Sequence, residues 1–536
     1  MEREANGSSR CCARGLTALL GAAFAVAAVF VLLSYSAAFD PSRLHVFGLE
    51  SRLNDQAAYV TTARILADTG ELRNGLVYPP FVDNPRSRIY MPGHYVTLAL
   101  SYRLFGWSVF SSLLPSLAAF VVATVGVFWI GSRLYGATAG VLAGLIFLFF
   151  PPNIVFAFTA MAELTFVAAG VLVFAVFLWV PPRLRFYVAP LLLGVPFLYR
   201  ETGALLLLPM CTLALAEPPG KRVRFALATL LGSVALLLVL YQWQAASGRE
   251  APPLTWITHG GFNYNDAAMP PAPDLSGAEW VGAILDNSLR NVRALGRSVF
   301  SAPAGFEALG LAGMLATSLL LAVGGLFRVR NDPFPAAAGG VVLASLASIV
   351  VLYDAVGFKA LRGAMFGMPL CGVALGGLLQ RTPLVARLEQ AVVWRRAGLA
   401  ALIALALLLA GRGPTLAAAR GVTANDAAAT SRTAWLEDLG HDADTLLVAP
   451  WNLSMDYVVQ HYPVRWSFLP ANDATLDRLR DRYEIGTLIL PRAASTRRVT
   501  RAAIERAGLS PVDDPAKTLV RRGYAVYQRD RGPGTD

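Results

Sequence analysis

Charged residues are scarce in this chain: Asp, Glu, Lys and Arg make up 15% of its 536 residues, against 55% hydrophobic. So small a polar surface cannot coat a soluble globule of that length, which leaves a polytopic membrane protein. Cysteine is equally sparse. Cys11 and Cys12 precede the first apolar run, and Cys211 and Cys371 lie inside later ones, so no disulfide framework is expected. The chain has no Walker loop, no GxGxxG after a strand, no GxSxG and no metal-type His/Cys cluster. ATP-driven transport and nucleotide-sugar chemistry on a Rossmann pocket lose support accordingly. The net charge of +11 is spread over short basic clusters between apolar runs, not over one patch, and no nucleic-acid partner is expected.

What the chain does have is apolar runs. A spanning helix needs about 20 apolar residues, and candidates fall near 15–38, 110–131, 137–156, 164–181, 186–199, 202–217, 223–243, 305–327, 335–353, 363–380 and 397–411, about eleven in all. The first is longer than a signal-peptide core, so an uncleaved helix is expected despite Ser36-Ala37-Ala38. Alternate loops carry the Arg and Lys residues: Arg133, then Arg183 and Arg185, then Lys221, Arg222 and Arg224, then Arg328 and Arg330, then Arg381 to Arg396. The positive-inside rule puts these loops and the N-terminus in the cytoplasm. The first outer loop, 39–109, then holds two short helices, 53–68 and 94–105, on the outer leaflet. After Arg412 the composition turns to that of a soluble α/β unit, with strand-like runs at 445–450, 464–470, 486–491 and 524–528 and helix-like ones at 432–439, 472–483 and 497–507. The expected organisation is a transmembrane domain, 1–411, and an extracytoplasmic α/β domain, 412–536.

Ionisable residues at the membrane edge are costly and are functional candidates by default. On the outer side they are Asp55, Arg88, His94, Glu163, Arg200, Glu201, Asp354, Lys359 and Arg362. Asp55 heads a helix in which Tyr59 and Thr62 follow on the same face. Its carboxylate can take a proton from an incoming hydroxyl, coordinate a divalent ion or cap its own helix. Glu163 can equally be a first-turn residue stabilised by the helix dipole. Arg200 stands beside its own potential ion-pair partner, Glu201, while Lys359 and Arg362 either mark an outer loop or bind an anion. His94 shows no partner in the sequence. Asn452-Leu453-Ser454 fits a glycosylation sequon.

Six stretches in this order resemble the GT-C superfamily of membrane glycosyltransferases, in particular the branch of protein O-mannosyltransferases and lipid A aminoarabinose transferases: NDQAAY (54–59), LFGWS (104–108), RLYG (133–136), MAELTF (161–166), YRETGALLLLP (199–209) and RGAMFGMP (362–369). Residues 450–470 also look like part of the outer domain of bacterial members. The resemblance implies an inverting transferase using a polyprenyl-phosphate sugar, with a glycolipid, polysaccharide or protein as acceptor, in a bacterial inner membrane. It implies Asp55 as general base, Glu163 as the second outer acid, and Arg200, Arg362 and Lys359 on the donor phosphate. Tyr59, Arg88, Tyr90, His94 and Glu201 would lie near substrate. Gln56 stands where many relatives carry an acid and Met91-Pro92-Gly93-His94 replaces a double proline, so a divalent metal stays open. The rival classes are a flippase for a lipid-linked sugar, which calls for inverted repeats not seen here, and a noncatalytic membrane partner.

Overall fold

The computed structural model describes residues 2–39, 53–77, 91–215, 217–246, 276–300, 306–327, 332–352, 361–362, 364–383, 401–420, 445–449, 465–467, 469–470, 472–491, 499–512 and 524–529. Every apolar run named above is helical where it is described: α1 (Glu2–Ser36), then α4 (Val109–Tyr135) to α10 (Pro219–Ala246), α12 (Phe306–Leu326), α13 (Phe334–Leu352), α14 (Met368–Gln380) and α15 (Ala401–Arg420). Five of these helices are long and apolar enough to cross a membrane, or six if α5 (Ala137–Leu148) and α6 (Pro151–Ala157) form one bent span. Five further helices contribute shorter apolar segments, of 10–17 residues. Proline explains much of the shortening. Pro151 and Pro152 open α6 at a 59° bend, and Pro190 and Pro196 lie inside α8 (Pro182–Phe197), each removing a ladder hydrogen bond. The last span runs on through residue 411 to Arg420, past the boundary expected from composition.

The two helices of the first loop are α2 (Leu53–Thr69) and α3 (Pro92–Phe105). The sequence suggested a helix with one outward face, but Gln56 to Ala63 are buried on every side. The first half of α2 is therefore part of the packed interior. Gly106, at φ +73°, ends α3 in a conformation disfavoured for other residues. Ser108 then opens α4 by exchanging side-chain-to-backbone hydrogen bonds with Ser111. The LFGWS stretch is thus a helix stop followed by a helix start.

Five C-terminal strands and β1 (Leu76–Val77) form one six-stranded sheet in the order β1-β3-β2-β4-β6-β5. Here β2 is Leu446–Val448, β3 Arg465–Ser467, β4 Ile485–Pro491, β5 Leu509–Val512 and β6 Tyr524–Arg529. Leu446, Val448, Leu488 and Leu509 pack against Leu476 and Leu479 of α16 (Asp473–Arg482) and Ile504 of α17 (Arg501–Arg506). The edge strand β1, Leu76–Val77, comes from the first loop and pairs in parallel with β3, Leu76 opposite Trp466 and Val77 opposite Ser467. Residues from before residue 411 and after it share one sheet.

Candidate functional site

The site grows from the start of α7 (Ala162–Trp179), where Glu163 lies in the first turn. Glu163 is only 1% exposed, and its Oε1 accepts from Arg200 Nη2 and from Arg362 Nε, each at 2.5 Å. Arg200 follows the end of α8, and Arg362 precedes the 3-10 turn Met365–Gly367 that leads into α14. Phe166 and Phe366 stack with centroids 4.0 Å apart and planes 9° apart, backing the ion pairs with apolar surface. In such surroundings charge-assisted bonds are strong, and loss of one partner strands a buried charge.

A second set of contacts locks α3 and α2 beside this cluster. His94 is fully buried: its Nε2 donates to the Ala160 carbonyl at 3.0 Å, and its Nδ1 lies 2.9 Å from Thr165 Oγ1. A carbonyl only accepts, so the neutral ring carries its proton on Nε2, and Nδ1 shares the one Thr165 hydroxyl proton with the Ala162 carbonyl, which lies 2.9 Å from Oγ1. Burial holds the His94 pKa down at about 4; its bond to Ala160 and the nearby Glu163 charge oppose that shift, and Arg200 adds to it. Tyr59 meets the imidazole edge-on at 4.7 Å. One turn earlier on α2, Gln56 Oε1 accepts from the Ala160 N–H at 3.0 Å. The Gly93 N–H donates to the Leu198 carbonyl at 2.7 Å, and a Cβ at Gly93 would collide with that oxygen and with the Tyr199 ring. Thr97 Oγ1 and the Tyr199 hydroxyl are 2.7 Å apart. The start of α3 therefore fixes the Tyr199–Arg200 turn.

Three of the expected site residues, Glu163, Arg200 and Arg362, are brought together. Arg200 bonds Glu163 in place of its neighbour Glu201, which is exposed at the head of the 3-10 turn Glu201–Leu206. Tyr59 and His94 stand next to the cluster and are buried, as Glu163 is. Asp55 is the third residue of α2 and directly precedes Gln56; its side chain, like Arg88, Tyr90, Lys359, Asp354, Asn452 and the helix 432–439, lies outside the described residues. Gln56 and Thr165 were not anticipated as site-building residues, although the departure at Gln56 was itself visible. Among the described residues no three His, Cys, Asp or Glu side chains gather as a metal-ligand set.

At the opposite end of α14, Arg381 Nη2 pairs with Asp332 Oδ2 at 2.9 Å, and the Tyr135 hydroxyl donates to Asp332 Oδ1 at 3.1 Å. The Glu163 cluster and this one mark the two ends of the bundle.

Residues 84–243 match the family model described as dolichyl-phosphate-mannose-protein mannosyltransferase. Among solved structures, the chain is similar to ArnT from Cupriavidus metallidurans bound to undecaprenyl phosphate, with 15% identity, a TM-score of 0.51 and coverage of 96% of this chain and 99% of that one. The same protein in its apo state gives 14% identity, a TM-score of 0.52 and coverage of 93% and 97%. No curated protein sequence matches. Over nearly its whole length the chain thus has the fold of the ArnT structures, and residues 84–243 are similar to the dolichyl-phosphate-mannose-protein mannosyltransferase family.

Proposed function

We propose that this protein is an inverting glycosyltransferase that moves a hexosyl or pentosyl group from a polyprenyl-phosphate donor to an acceptor hydroxyl on the outer face of the membrane. The observation that carries this reading is the meeting of Arg200 and Arg362 on one oxygen of Glu163. Two guanidiniums anchored on one carboxylate are held in place before substrate arrives. As the bond from the anomeric carbon to the phosphate oxygen breaks, negative charge grows on the leaving phosphate. Preorganised cations stabilise that charge without reorganisation at the moment of reaction. Asp55 takes the acceptor proton as the hydroxyl oxygen attacks, and polyprenyl phosphate departs. Undecaprenyl phosphate bound to the structural relative supports a donor of this class.

In this reading Glu163 serves as the anchor of both arginines, Lys359 joins them on the donor phosphate, and Arg88 and Tyr90 contribute substrate contacts. The acceptor is a glycolipid, polysaccharide or protein. In this reading, which the basic loops support, the N-terminus is cytoplasmic and the residues after Arg420 lie outside, in a bacterial inner membrane. The test is a transfer assay with purified protein and lipid-linked sugars, following release of polyprenyl phosphate. A flippase or a noncatalytic partner releases none. Replacing Arg200 and Arg362 by Ala should weaken donor binding more than acceptor binding, and unchanged donor affinity overturns the phosphate assignment.

A further inference from the structure

Helix α11, Gly277–Phe300, lies in a stretch with no long apolar run and divides its residues among three faces. Asn287 and Asn291 are buried, and their side-chain amides donate to the Val351 and Val350 carbonyls at 2.9 and 2.8 Å. Those carbonyls belong to the last turn of α13, where the helix offers them no internal partner. Val281, Leu285, Leu289 and Val292 form a second face, and each is between 55% and 57% exposed. Asp286, Arg290 and Arg293 form a third, also exposed. At 100° per residue the centres of the three faces stand roughly 110–140° apart.

The position of α11 says what covers the apolar face. α13 has 19 residues, about 28 Å at 1.5 Å per residue, close to the hydrocarbon thickness. Its first turn adjoins Asp332 and Arg381, and its last turn, on which α11 is docked, lies toward the Glu163 end of the bundle. α11 therefore sits where hydrocarbon gives way to water. It also packs against α12, whose Leu319, Leu320 and Val323 are exposed in the same way as the lipid-facing surface of the bundle. A concavity of about 380 Å³ beside the stripe is lined by Asp286, Leu289, Arg290 and Arg293.

We infer that α11 lies along the membrane–water boundary at the Glu163 end of the bundle, its Val281–Leu285–Leu289–Val292 stripe in the acyl chains and Arg290 and Arg293 on lipid headgroup phosphates. Long basic side chains reach from an apolar face to the headgroups at little cost. Glu279 lies in the first turn, where a carboxylate matches the helix dipole. Asp286 offsets one arginine, so the contact is to individual phosphates and does not demand a strongly anionic surface. The inference is independent of the transferase reading, and its test needs no activity.

Full-length protein with its four cysteines replaced by serine is placed in nanodiscs of phosphatidylethanolamine and phosphatidylglycerol. Single cysteines at Leu285, Leu289, Asp286 and Arg293 are spin-labelled one at a time and probed by collision with oxygen and with a nickel chelate. Labels at 285 and 289 should favour oxygen and those at 286 and 293 the chelate; equal access at all four overturns the interfacial placement. R290Q/R293Q should lower the phospholipid retained after detergent purification by about tenfold. Unchanged retention overturns the phosphate contact.

Discussion

Glu163 and Arg362 are 199 residues apart in sequence and meet at a single oxygen, Oε1, which Arg200 also bonds. The pairing closes the gap between the start of α7 and the turn before α14. Glu163 is thus a structural keystone of the candidate site, and its removal takes away the carboxylate that both guanidiniums share.

Glu163→Ala should destabilise the protein by about 3–5 kcal/mol, the cost of stranding buried charge. Glu163→Gln keeps the shape while losing the charge and should recover part of that loss. Thermal unfolding in detergent, followed by tryptophan fluorescence, orders the two. Equal stability of wild type and Ala variant would remove the anchor role.

Asp55→Asn should insert and fold normally yet lose roughly 100-fold or more in transfer rate, the lower range for a general base. Thermal unfolding and a transfer assay on one preparation separate folding from chemistry. Wild-type turnover in this variant rules Asp55 out as the base.

The buried His94 gives a pH signature. Its pKa falls from the ordinary 6.5 to about 4 in the folded protein. An unfolded chain therefore takes up a proton that the folded one refuses. His94 costs nothing above pH 6.5, and stability declines between pH 6.5 and 4 by about 1.4 kcal/mol per unit. Unfolding midpoints of wild type and His94→Gln across that window should differ in slope, and parallel curves would contradict the neutral buried ring.

Val77→Pro should loosen the edge pairing of β1 with β3, removing a backbone donor for a loss of about 1 kcal/mol. The Gly75 N–H donates to Thr62 Oγ1 at 3.0 Å, so the disturbance should spread into α2. Hydrogen exchange across 53–69 reports it; unaltered protection there would mean that strand and helix are uncoupled.

Local pattern foretold the local elements. The apolar runs, the strands at 446–448, 465–467, 485–491 and 524–529, and the two loop helices follow from composition and periodicity. The gathering of Glu163, Arg200 and Arg362 was legible only as charges near one membrane face, because their pairing depends on helix packing that sequence spacing does not encode. Arg200 illustrates the point: its neighbour Glu201 was the obvious partner, and a carboxylate 37 residues away took the place. α11 was missed because its apolar residues are spaced along a stripe, which a search for long runs passes over. β1 was missed because two residues make no pattern, and Leu509–Val512 went unread because Pro511 interrupts it.

The edge strand from the first loop also sets an order of events. About 390 residues separate Leu76 from Trp466, so during synthesis α2 reaches the membrane long before the strand that receives its neighbour exists. A nascent or truncated chain that stops before Arg465 holds Asp55 on a helix whose far end is not yet tied to the sheet. The first loop is tied down only once Arg465–Ser467 has been made, so α2 gains its last anchor late in synthesis.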